Sequence, residues 1–176
     1  MLNPQNLYTS EMNEVYTITS ESGDEYKLQF TSDRSGIISD ALLDFLADNG
    51  IEVVEIGQAR VKGKNVTSQY VLAQIEACIA DLMQRYPNVI LSFFCDFIHF
   101  VPSNKRIPVQ EYRSRLFSAM FSRYVTLHNI HDYCNHVVEV EGISEPFFFH
   151  VIYRREHEAY ADMIAEGHQK DFGKPE

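Results

Sequence analysis

Between Ile51 and Asp96 the hydrophobic positions change period twice, and the changes mark out one continuous unit. Ile51, Val53, Val54 and Ile56 form a β-branched run that predicts a strand over 51–60. From Thr67, a residue suited to an N-cap, the apolar residues Val71, Leu72, Ile75, Cys78, Ile79, Leu82 and Met83 recur every three or four positions until Pro87 forbids continuation. That period predicts a helix. Val89 to Cys95 is then almost unbroken apolar sequence, as in a central strand covered on both faces. Strand, helix and strand in this order predict a right-handed βαβ crossover joining two neighbouring parallel strands.

The flanks carry other periods. Val15 to Thr19 and Tyr26 to Phe30 alternate in polarity around Ser22, Gly23 and Asp24, which predicts an antiparallel hairpin. Ser39 precedes Ala41, Leu42, Leu43, Phe45 and Leu46 at helical spacing, and Asn49-Gly50 supplies a stop. Arg113, Leu116, Phe117, Met120 and Tyr124 predict a helix that starts after Pro108 and runs to about Ser122. His136 to Val140 and Phe147 to Tyr153 flank a polar turn around Gly142 and predict a second hairpin, after which Ala159, Tyr160, Met163 and Ile164 predict a helix over 156–168. The pattern is that of an α+β (mixed α/β) fold: a single mixed sheet with a central βαβ crossover flanked by helices. Residues 1–176 read as a single domain, with flexible ends over 1–12 and 171–176.

Composition narrows the class. A chain of 176 residues, 45% hydrophobic and carrying 12 Phe and 10 Tyr, has the apolar supply for one core and is not a disordered sequence. The N-terminal stretch lacks both a basic and an apolar region, and no apolar run is long enough to span a bilayer. Cys78, Cys95 and Cys134 are odd in number, which suits reduced thiols and a cytoplasmic setting.

A net charge of −10 disfavours nucleic acid and anionic membranes and favours a basic protein partner. The charge is uneven, however. No Asp or Glu occurs from Ile56 to Ile75, where Arg60, Lys62 and Lys64 sit. From Phe97 to His131, Glu111 is the one acid against Lys105, Arg106, Arg113, Arg115 and Arg123. In a βαβ unit the loops after the two parallel strands share one edge, so these cationic windows are expected to converge there. Gly63 would permit close backbone approach, and free N–H groups at the helix start near Thr67 and Ser68 would add positive potential. A small phosphate-bearing ligand is the expected occupant; the competing reading is a solvated turn whose lysines face water.

The order of elements over about Ile51 to Tyr153 resembles the Gcn5-related N-acetyltransferase superfamily. Its loop pattern Gln/Arg-x-x-Gly-x-Gly/Ala is matched by Arg60-Val61-Lys62-Gly63-Lys64-Asn65, with Asn65 departing from the small residue. The resemblance implies that backbone groups around Arg60, Lys62, Gly63, Lys64, Asn65, Thr67 and Ser68 meet the pyrophosphate of coenzyme A or acetyl coenzyme A. Many members carry a tyrosine on the following helix as proton donor; here Phe117 stands nearest, with Tyr112 and Tyr124 displaced. The run Cys95-Asp96, then Arg113-Ser114-Arg115-Leu116-Phe117 and Phe121, also resembles a family of uncharacterised small bacterial proteins, and singles out Arg113 and Arg115 as partners for Asp96.

No constellation in the sequence defines a reaction. Cys95 ends an apolar run beside Asp96, which would raise the pKa of the thiol rather than lower it, so an inert cysteine is expected. His128, His131, Cys134 and His136 are too compactly spaced for the usual two-pair zinc site and are expected not to share a metal. Two function classes stand: an acyl coenzyme A-binding, acetyltransferase-like domain lacking its usual acid, and a noncatalytic acidic interaction protein of antitoxin, immunity or decoy type.

Overall fold

The computed structural model describes residues 12–32, 36–64, 69–95, 109–141 and 147–167. Six strands and four helices follow in the order β1 (Asn13–Thr19), β2 (Glu25–Ser32), α1 (Asp40–Asp48), β3 (Glu52–Lys62), α2 (Gln69–Arg85), β4 (Val89–Cys95), α3 (Val109–His128), β5 (Tyr133–Val140), β6 (Phe147–Arg154) and α4 (Glu158–Glu166), with a 3₁₀ turn at Arg155–His157. The strands form one mixed sheet in the order β1-β2-β3-β4-β6-β5. Both predicted hairpins are antiparallel, and β3 lies parallel to β4 across the α2 crossover. The fold is α+β, and none of its described helices is long and apolar enough to cross a membrane.

The period-2 pattern explains the two cores. Ile18, Leu28, Phe30, Val54, Ile56 and Leu91 point to one face, where α2 adds Val71, Ile75, Ile79 and Leu82 and α3 adds Phe117 and Phe121. Val53, Ile90, Phe149 and Val151 point to the other face, covered by Leu46 of α1 and by Ala161 and Ile164 of α4. On this second face α1 packs against β3, and α4 against β6 and β5. Over β1 and β2 it is open: Val15 is 52% exposed, and Thr17, Lys27 and Gln29 are exposed beside it.

Edge strand β1 is fastened to α2 by polar contacts. Arg85 donates to both carboxylate oxygens of Glu14, at 3.0 and 2.6 Å, and to Asp81, while Tyr86 donates to Glu14 and Tyr16 meets Arg85. The Arg85 hydrogen bonds, followed by that from Tyr86, hold the Glu14 carboxyl at about 2; burial, with the neighbouring carboxylate, pushes the Tyr16 phenol up to about 12.

Three boundaries differ from the sequence expectation. Strand β3 runs two residues further, to Lys62, because its polar second half alternates and pairs with β2. Strand β5 begins at Tyr133, before the expected His136. Helix α3 continues past Ser122 to His128 because Phe121, Tyr124 and Val125 pack toward α2. It closes with Asn129 at φ 52, Ile130 N–H donating to Val125 carbonyl oxygen and Asn129 N–H to that of Thr126. An asparagine in the usual glycine place hid this stop. Asn129→Ala is expected to lower stability by about 1 kcal/mol, and Asn129→Gly to be neutral or stabilising, as read from urea unfolding midpoints.

Candidate functional site at the fork between β3 and β4

The parallel ladder joins Glu52–Ile56 to Val89–Phe93 and stops there, at five paired positions. Both strands go on. β3 continues to Lys62 held by β2, and β4 continues to Cys95 held by β6. The carboxyl ends therefore part at Gly57 and Phe94, each following its own antiparallel neighbour, as the twist of a mixed sheet encourages. Past the parting point, the facing edges of β3 and β4 do not pair with each other among the described residues. This fork lies at the carboxyl ends of parallel strands, the place where open α/β sheets gather ligands.

The predicted basic residues are placed unevenly around it. Arg60 and Lys62 lie on β3 rather than in a loop, opposite Tyr26 and Glu25 of β2. Lys62 and Lys64 are exposed. Gly63 has φ 95, and a Cβ there would fall on the Asp24 carboxylate and lie 2.9 Å from the Asp24 Cβ. The fold itself thus requires this glycine: it lets the end of β3 pass the buried Asp24 of the first hairpin. Asn65, Thr67 and Ser68 lie outside the described residues, as do Asp96 and the segment carrying Lys105 and Arg106.

On the α2/α3 face, Phe117 stacks on Phe93, the last residue of the parallel ladder, at 4.7 Å between centroids. It also meets His150 edge-on at 4.9 Å. Sequence reasoning missed the polar group beneath. Ser114 Oγ lies 2.8 Å from His150 Nε2, and His150 Nδ1 lies 3.0 Å from Asn135 Oδ1. Asn135 Nδ2 donates to Ser118 Oγ, so its Oδ1 faces the ring; Nδ1 then carries the proton and Nε2 accepts from Ser114. His150 is fully buried, and burial pulls its pKa down to about 4, so the imidazole is neutral near pH 7. One signal was available: a lone histidine in the apolar run Phe-Phe-Phe-His-Val-Ile-Tyr has to find hydrogen-bond partners inside. The three side chains have the order of a hydrolytic triad, but burial makes this imidazole a weak base, and Ser114 is only 4% exposed. Its chemistry here is that of a satisfied core network.

Other candidates disperse. Arg115 pairs with Glu111 one turn away on the surface of α3, at 2.6 Å. His128 ends α3 and stacks on Tyr124, His131 sits in the turn that follows, and Cys134 and His136 lie on β5. Among the described residues no three His, Cys, Asp or Glu side chains come together to hold a metal. Two hollows lie away from the fork. One, between α2 and α3, is walled by Ile75, Ile79, Met83 and Phe121 and has room for about 30 Å³, the scale of a single water; Glu76 at its wall has its pKa raised by burial. The other is an open depression between α3 and β5. No family model, no curated protein and no solved structure matches this chain.

Proposed function

We propose that the protein binds the pantetheine arm of coenzyme A or an acyl coenzyme A in the fork between β3 and β4. The parting of the parallel strands at Gly57 and Phe94 carries the reading. A slender chain bearing amides can add to an open strand edge by main-chain hydrogen bonds, as a peptide does. Two further features support it. From β3 onward the elements run strand, helix, strand, helix and closing hairpin, and the sequence of this stretch resembles the acetyltransferase superfamily at Arg60–Asn65. The exposed cations Lys62 and Lys64 stand where β3 ends, within reach of a pyrophosphate at the ligand's far end.

The proton donor of many superfamily members is replaced by Phe117, whose ring is committed to Phe93 and His150. The proposal is therefore first of all for a binding site. Any acyl transfer would draw on positioning and on backbone N–H groups aimed at the developing oxyanion.

Titration calorimetry with coenzyme A tests this directly. Saturable heat and a raised thermal midpoint are expected, with binding weakened in Lys62→Glu/Lys64→Glu and the weakening reduced at high salt. Absence of both signals at millimolar ligand, with the protein folded, would remove the proposal. An acidic protein that docks a cationic partner, supported by the −10 charge, would then be the better reading.

A further inference from the structure

Neither a left-handed backbone nor crowding calls for a glycine at Gly57. It lies inside β3, where glycine weakens a strand because it brings conformational entropy and no side chain to pack. The glycines that need a left-handed backbone are Gly23, Gly36, Gly50 and Gly63, and Gly57 is not among them. Nor does a neighbour crowd it: a Cβ at Gly57 would meet only the Gln29 carbonyl oxygen, at the ordinary distance of 3.8 Å. By contrast, Gly63 has both a left-handed φ and Asp24 in the way.

The location of Gly57 supplies a reason. It is the first residue of β3 beyond the parallel ladder, and Phe94 is the first of β4. Side chains at these positions project to the face opposite α2 and α3, since Ile56 and Phe93 belong to the α2/α3 side. On that face the half-buried Phe94 ring packs against Phe147 at 5.3 Å, an apolar pair where β4 leaves β3. Further out, the β1-β2 part of this face is open.

Resting on the coenzyme A reading above, we propose that Gly57 is the size-determining position for the acyl group of the bound thioester. The acyl chain would pass the missing side chain of Gly57 and lie against Phe94 and Phe147, which favours chains longer than acetyl by apolar contact.

The test uses the full chain, Gly57→Ala and Gly57→Val, with coenzyme A, acetyl coenzyme A and hexanoyl coenzyme A as ligands in calorimetry, alongside thermal unfolding without ligand. The parent is expected to bind the hexanoyl form more tightly than the acetyl form. Gly57→Val is expected to weaken the hexanoyl form by about tenfold or more, as an extra methyl in an apolar passage can. It should leave coenzyme A itself unchanged and keep or raise the thermal midpoint. Binding of all three ligands unaltered by Gly57→Val would overturn the inference and leave the coenzyme A reading standing. So would a lowered midpoint in both variants, which would mean that the fold needs the glycine. A parent that binds no coenzyme A would remove both.

Discussion

The protein is expected to lose stability between pH 6.5 and pH 4 through one residue, His150. The folded chain holds its imidazole neutral with a pKa of about 4, against 6.5 for an exposed ring, and burial is the cause. The unfolded chain takes up the proton first, so the contribution is complete above pH 6.5 and declines as pH falls toward 4. That difference corresponds to roughly 3 kcal/mol. Glu14 acts in a lower window: its depressed pKa gives stability that is full above about 4.5 and lost as pH falls toward 2. Urea unfolding at steps from pH 7.5 to pH 4 separates the two. His150→Gln, which keeps an amide donor and acceptor for Asn135 and Ser114, should flatten the upper part of the curve. Ser114→Ala should cost about 1–3 kcal/mol, because it leaves a buried acceptor without its donor. If the His150 variant kept the parent's slope between pH 6.5 and 4, the assignment would be wrong.

Substitution of Gly63 is expected to damage the fold before it touches any ligand. Even alanine must hold an unfavourable φ of 95 and displace the Asp24 side chain, and strain of this kind costs about 1–3 kcal/mol. Gly63→Asp should cost more, since it sets a second carboxylate against the buried one. Asp24→Ala in the Gly63→Ala background should recover part of the loss, and the double-mutant coupling measures how much of the cost is collision and how much is backbone. Additive effects of the two substitutions would show that the side chains do not compete for one space. A Gly63→Asp variant is for this reason a poor reporter of anion binding, and charge reversal at Lys62 or Lys64 a better one.

Much of the fold was legible because period and burial agree. The β-branched run at Ile51, the three-to-four spacing from Val71 to Met83 and the apolar run from Val89 each match one element of the crossover. Where the sequence misled, tertiary partners decided. Strand β3 goes two residues beyond the expected Arg60, to Lys62, because β2 pairs with it that far. The last turns of α3 contain Val125 and Thr126, which have modest helix propensity, and are held by packing toward α2. The candidate site was legible only in part. Arg60, Lys62 and Gly63 lie at the carboxyl end of β3, yet Gly63 is required by Asp24, a residue distant in sequence that no local pattern connects to it. The parting of β3 from β4 leaves no local signature either, because it arises from which neighbour each strand follows.

That parting also divides the sheet mechanically. The wing β1-β2-β3 and the wing β4-β6-β5 are held internally by antiparallel ladders, while the seam between them is the sheet's parallel ladder among the described residues, five positions long and spanned by the α2 crossover. A twist of one wing against the other along this seam would open or narrow the fork while leaving the antiparallel ladders within both wings intact. Whatever wedges into the fork would act on that line as a splint, tying the two wings together beyond the point where their own ladder ends.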